Sequence, residues 1–246
     1  MLRLFRKNRM WEKHPLKDRY DVVIIGGGVH GLSTAYYLGK LGVTNVAVLD
    51  RGYLGGGGSA RTTAIIRANY LTPEGIPFFR ESLKLYEGLA QELDFNLLFS
   101  QMGRLDLGHT DSAVFGLRLR AEFNQLLGVN SRMIGPREIK ELVPAMDLRE
   151  GKPLPIVAAL YHPPGGVIRH DAVVWGYGHG ASKMGAELHP FTEVRGIRRE
   201  RGRVTGVETA DGFVGADTVV SATAGWTSTI ARMVDLELPI LTHPLQ

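Results

Sequence analysis

The chain has 246 residues, enough for one large domain or two small ones, and its 44% hydrophobic and 22% charged residues are the balance of a globular protein. No apolar run approaches the roughly 18 residues that a membrane span requires, and the lack of cysteine excludes disulfides, thiolate metal sites, iron–sulfur clusters and a cysteinyl flavin. The formal charge of +4 is concentrated in residues 1–20, where Arg3, Arg6, Lys7, Arg9, Lys13, Lys17 and Arg19 stand against Glu12 and Asp18, so the remainder is close to neutral.

This basic segment, 1–19, reads as an arm laid across its own domain. Contact with a nucleic acid or an acidic surface has only these charges behind it, so neither a nucleic-acid nor a membrane partner is expected. No apolar stretch follows the basic residues as a secretory signal would demand. With no cysteine, a reducing, cytoplasmic setting is the expectation.

Asp21–Ile25 is a short β-branched run, the pattern of a strand buried on both faces of a parallel sheet. Leu32, Ala35, Tyr36 and Gly39 then fall at helical spacing, Gly42 ends the helix, and Asn45–Leu49 is a second strand. Together they form a βαβ unit of about 30 residues. A glycine-rich loop at 55–58 precedes a helix over Pro77–Leu93, with Phe78, Ser82, Leu85 and Leu89 on one face. Residues 97–150 hold a strand at Gly103–Gly108, a polar helix and a second helix at Pro136–Leu142, and a separate lobe is the expectation for them. From Glu193 a meander is expected: Glu193–Glu200, a turn at Arg201–Gly202, Arg203–Thr209, a turn at Asp211–Gly212, then Phe213–Val214. Thr218–Ala222 reads as one more buried strand. The chain ends at Leu245-Gln246 just after what looks like the start of a strand, so a C-terminally truncated chain is expected.

The chemistry begins at residues 26–31, GGGVHG, which contain G-x-G-x-x-G between the first strand and its helix. Gly26 permits the sharp turn, Gly28 lets backbone approach a pyrophosphate lying on the helix N-terminus, and Gly31 brings helix and sheet together. Asp50, 19 residues after Gly31 at the end of the second strand, is placed to accept hydrogen bonds from an adenosine ribose. FAD and NAD share this pattern. A nicotinamide domain would continue with alternating strands and helices, whereas here a glycine loop and a distant antiparallel meander intervene, which favours a flavoprotein.

The blocks YDVVIIGGGVHGLSTAYYL, NVAVLDRGYLGGG, ARTTAIIRANYL, FSQMGRLDLGH, YHPPGGVIRHDAVVWG and LPILTHPLQ together resemble the D-amino-acid-oxidase-like FAD superfamily. Within it they are most similar to the β subunits of heterotetrameric sarcosine oxidases. The resemblance implies an α/β fold: a Rossmann-like FAD-binding domain with an antiparallel β-meander (20–92 and 165–232), plus part of an α+β substrate lobe (93–164 and 233–246). It also implies non-covalent FAD contacts at Gly26, Gly28, Val29, His30, Gly31, Asp50, Gly58, Ser59, Arg61, Thr63, Ile65, Val194 and Gly225. Asp50 stands where the family often has Glu, and Gly58 and Ser59 stand where bulkier residues are expected.

Two further sites follow from the same resemblance. Arg67 matches an arginine that faces the substrate carboxylate, a pairing that suits a planar guanidinium; an ordinary surface arginine or structural ion pair is the alternative. His170 matches the histidine that carries covalent FMN, with Arg169 beside it in place of a lysine, although taken alone His170 reads as a polar surface histidine. Gly176, Gly178 and Gly180 are expected to weaken the helix that follows, at roughly 1 kcal/mol each. The activity implied is oxidation of a secondary amine such as sarcosine, in a subunit assembled with α, γ and δ partners. An FAD-only glycine oxidase or D-amino-acid dehydrogenase would use Arg67 but not His170; a non-catalytic FAD-binding or scaffold fragment is the reading of a different class, and the isolated chain is expected to be inactive. No residue reads as a general base.

Overall fold

A computed structural model describes residues 10–149, 151 and 153–243; residues 1–9 of the basic arm and 244–246 lie outside the described residues. In chain order the elements begin with β1 (Arg19–Ile25), α1 (Val29–Lys40), β2 (Val46–Leu49), β3 (Ile65–Ile66), α2 (Gly75–Glu92) and β4 (Arg104–Gly108). Next come α3 (Asp111–Leu126), β5 (Arg132–Ile134), α4 (Pro136–Leu142), β6 (Ala158–His162), β7 (Gly166–Val167) and α5 (His170–Lys183). The last are β8 (Glu187–His189), β9 (Val194–Glu200), β10 (Arg203–Thr209), β11 (Gly212–Ser221) and α6 (Thr227–Arg232).

The chain divides into two compact units, one made of residues up to Thr62 with those from His170 onward, the other of Thr63–Arg169. The division expected from sequence falls elsewhere. Residues 63–92 and 165–169, expected in the FAD domain, belong to the second unit, and 233–243, expected in the substrate lobe, to the first.

The first unit is built on a six-stranded sheet in the order β8-β2-β1-β11-β10-β9. β8, β2, β1 and β11 are parallel, and β10 and β9 continue the sheet antiparallel. Val23, Ile24 and Ile25 of β1 and all four residues of β2 are buried, as continuous apolar runs in a covered parallel sheet should be. Val23, Ile25, Ala47 and Leu49 pack with Val194, Val207, Val214 and Ala216 of the meander in one core.

One expectation is corrected here. Phe213–Val214 and Thr218–Ala222 are not separate strands: β11 runs unbroken from Gly212 to Ser221, pairing antiparallel with β10 at its start and parallel with β1 along its length. Its later residues, Asp217 to Val220, are exposed or half-buried rather than covered on both faces. The glycines expected to weaken α5 lie within an unbroken helix. The helix holds 14 residues with Gly176, Gly178 and Gly180 all buried, because α5 packs against α1 and its lost helix propensity is offset by tertiary contact. A Cβ on Gly178 would sit 3.7 Å from Trp11 and 3.9 Å from Leu32. Trp11 belongs to the arm, whose described part is tied down by His179 Nδ1 to the Met10 carbonyl (2.8 Å) and Lys17 to Glu187 (2.7 Å).

The second unit holds an antiparallel sheet in the order β4-β6-β5 and the short β3–β7 pair. Ile134, Ile139 and Ala159 form one core there, and Ala68, Ile76, Leu83 and Val129 another. Helix α2 therefore buries Ile76, Leu83 and Leu89; of the expected face only Leu89 is buried, while Phe78 and Leu85 are 70% and 55% exposed.

Candidate functional site

In the first unit, three glycines shape the turn from β1 into α1. Gly26 has φ +110°, and a Cβ on it would lie 2.5 Å from the Ala222 carbonyl oxygen. A Cβ on Gly31 would come within 1.9 Å of the Gly26 carbonyl oxygen, so the helix can approach the turn only without a side chain there. Gly28 is the N-cap of α1 and supplies no side-chain cap. Ser59 fills that role from the short 3-10 turn Gly58–Arg61, its Oγ accepting the Val29 N–H at 3.0 Å. A hydroxyl that accepts here keeps its own proton for a further acceptor.

Asp50 anchors the loop. Its Oδ2 accepts the Gly27 N–H at 2.7 Å and its Oδ1 the Gly52 N–H at 2.8 Å. Each oxygen retains lone-pair capacity, since a carboxylate offers about four acceptor positions. Arg61 donates through Nη1 to the carbonyls of Gly56 and Gly57, bracing the glycine-rich loop. The His30 side chain is exposed, as is Gly58. Val194 is buried in the core, so only its backbone can meet a ligand, and the Gly225 carbonyl accepts the Thr242 hydroxyl at 2.9 Å. Arg51, next to Asp50, lies 4.1 Å over the ring of Trp226, next to Gly225; this pair was not legible in sequence. It ties together the segments after β2 and β11, the two strands flanking β1. His170 opens α5 and is half-buried.

In the second unit, Ile65 lies in β3 with its side chain 41% exposed, Thr63 is exposed, and Arg169 is exposed at the end of the unit. Arg67 is the centre of a polar cluster. Its guanidinium lies 4.0 Å over the Tyr70 ring, which itself stacks on Phe79 at 3.6 Å. Its Nη1 donates to the Asn69 carbonyl at 3.1 Å and to Asn69 Oδ1 at 3.3 Å. Asn69, fully buried, donates to Asp106 Oδ2 at 2.8 Å. Asp106 also pairs with Arg104 and Arg120, each at 2.6 Å. Burial alone would raise the Asp106 carboxyl, but the hydrogen bond from Arg104 and the charge of Arg120 hold it below the usual range. Burial, joined by repulsion from Arg104 and Arg120, lowers the Arg67 pKa; an arginine so shifted still carries its charge at neutral pH.

The buried His162 supports the same segment. Its Nε2 accepts the Ala68 N–H at 3.2 Å and its Nδ1 donates to the Asn130 carbonyl at 2.7 Å. Burial holds its pKa below the ordinary value, in keeping with the neutral ring these bonds require. Asn69, Tyr70, Asp106, Arg104, Arg120 and His162 were all missed by sequence reasoning; the only signal was the density of polar residues in RANY and GRLDLGH. Among the described residues no cluster could hold a metal ion, and no helix is long and apolar enough to cross a membrane.

The family model of FAD-dependent oxidoreductases known as DAO matches residues 21–246. The chain belongs to this family. This FAD-dependent oxidoreductase chain is 45% identical over 237 residues to the sarcosine oxidase subunit beta of Rhizobium meliloti, covering 96% of the chain and 57% of that protein. It is 30% identical to human mitochondrial dimethylglycine dehydrogenase over 94% of the chain and 27% of that protein. Among solved structures it resembles L-proline dehydrogenase from P. horikoshii, with TM-score 0.85, 29% identity, and coverage of 92% of the chain and 58% of that one. Glycine oxidase from Geobacillus kaustophilus gives TM-score 0.81 and 26% identity over 90% of the chain and 60% of that one. The chain thus spans a little over half the length of the sarcosine oxidase subunits it matches. The mixed α/β architecture expected from sequence is the architecture of these flavoproteins.

Proposed function

We propose that this chain supplies the FAD-holding part of an enzyme that oxidises N-methylglycine (sarcosine), as the β subunit of a heterotetramer with α, γ and δ partners. The observation that carries the reading is Arg67: a half-buried guanidinium laid on Tyr70, with Asn69 engaging only Nη1. The substrates named for the relatives (sarcosine, dimethylglycine, L-proline and glycine) all place a carboxylate one carbon from the amine nitrogen. Arg67 would take that carboxylate through paired hydrogen bonds and so orient the amine.

The residues present fit FAD. Gly26, Gly28 and Gly31 leave the α1 N-terminus open to a pyrophosphate, and Val29, His30, Ser59 and Arg61 surround or brace that loop. Asp50 would accept the ribose hydroxyls with its remaining lone pairs, and Gly58, Val194 and Gly225 of the same unit would line more of the cofactor. When bound, FAD supplies the two-electron acceptor for a hydride equivalent from the N-methyl carbon. The protein groups bind and orient, and the amine must react unprotonated.

The further flavin is FMN carried covalently by His170, with Arg169 offering positive charge to its phosphate. Similarity to glycine oxidase favours a second reading, an FAD-only amino-acid oxidase in which His170 carries nothing. Mass spectrometry of the denatured chain, after expression with its α partner, separates them. The first reading expects FAD in the supernatant and an FMN adduct lost in His170→Ala. Free FAD with an unmodified wild-type chain leaves the second reading standing.

A further inference from the structure

The segment Arg67-Ala68-Asn69 is gripped from two independent directions, and both grips come from the β4–β6 pair. Arg104 and His162 face each other across that pair, and Asp106 is two residues along β4 from Arg104. His162 takes the backbone: its Nε2 accepts the Ala68 N–H. Because Nδ1 must donate to the Asn130 carbonyl, Nε2 carries the lone pair, and only the neutral ring can make both bonds. Asp106 takes the side chain. An ionised carboxylate can only accept, so it draws the Asn69 Nδ2 amide, which turns Asn69 Oδ1 toward Arg67. Arg104 holds the other oxygen, Oδ1, while Arg120 shares Oδ2 with the Asn69 amide.

We propose that Asp106, acting through Asn69, and His162, acting through the Ala68 backbone, are positioning residues that fix the Arg67 guanidinium for a ligand carboxylate. The inference rests on the reading of Arg67 given above, but the fixing of Arg67 is testable apart from it. Three arginines stand around one aspartate, so the cluster is net positive, and at Arg67 one nitrogen is engaged by Asn69 and the ring face by Tyr70. A side chain fixed in this way loses less entropy when it pairs with a carboxylate than a freely rotating arginine would.

The test has two readouts on the same FAD-loaded protein. The first is 15N relaxation of the Arg67 Nε–H without ligand, assigned by its disappearance in Arg67→Lys. Asp106→Ala and His162→Ala should each make this signal mobile, whereas Asp106→Asn, which keeps an oxygen for the Asn69 amide, should leave it ordered. Should Asp106→Ala not fold, Asn69→Ser cuts the same relay one link nearer. An Arg67 signal equally ordered in all these variants overturns the proposal. The second readout is the affinity for acetate and N-methylglycine, followed by flavin absorbance. Asp106→Ala should weaken both roughly tenfold, with no further loss when added to Arg67→Ala. Additive losses would contradict action through Arg67. If order is lost but Arg67→Ala binds acetate as the wild type does, the relay stands and the carboxylate reading of Arg67 falls.

Discussion

His162 and His189 are both buried, and burial is the first cause lowering the pKa of each ring below the ordinary 6.5. For His189 the neighbouring Glu187 opposes that shift without cancelling it. A histidine held neutral by the fold is protonated first in the unfolded chain. Its contribution to stability is therefore complete above pH 6.5 and is lost as the pH falls from there toward the depressed folded values. The melting temperature should be nearly level from pH 8 to about 7 and fall between about 7 and 5, with His189→Gln showing a shallower fall. A wild-type profile flat through that window would mean the rings are not neutral in the fold. These histidines were invisible in sequence because their partners are remote: Ala68 is 94 residues from His162, and Tyr20 is 169 from His189. The glycine fingerprint was legible for the opposite reason. Gly26, Gly28 and Gly31 act within one turn, and their spacing alone encodes the strand–turn–helix they permit. Asp50 was read only as a ribose acceptor; that it also pins the Gly27 N–H needed the fold.

At the scale of elements, sequence periodicity located helices well and oriented them less well. Helix α4 covers Pro136–Leu142 as the spacing implied, with proline at its first turn. Helix α2 carries two apolar stripes, and periodicity cannot choose between them; Ala68 and Val129, far away in sequence, select the one with Ile76 and Leu83. Leu83→Ala should accordingly cost about 2–5 kcal/mol in denaturant unfolding, and Phe78→Ala within about 0.5 kcal/mol. Equal losses at the two positions would mean the helix is rotated from the orientation described. Strands β5 and β6 escaped sequence reading altogether. Arg132–Ile134 is too short to alternate, and Ala158–His162 (AALYH) shows no alternation, its burial depending on cross-strand partners Arg104–Gly108.

Across the whole molecule, the sequence carried the family and the class of architecture, because the fingerprint and its flanking blocks extend along most of the chain. The boundaries of the two compact units fall at Thr62/Thr63 and Arg169/His170, where composition shows no break. Every functional step proposed for this chain requires that it hold FAD on the glycine turn after β1. Flavin released by heat denaturation of the purified chain tests it directly, in the wild type and in Gly28→Val, with circular dichroism to establish folding. About one FAD per wild-type chain is expected, and none in a folded Gly28→Val, where a side chain would occupy the approach beside Ser59. A folded wild type without flavin, or a Gly28→Val chain with a full complement of FAD, would contradict it.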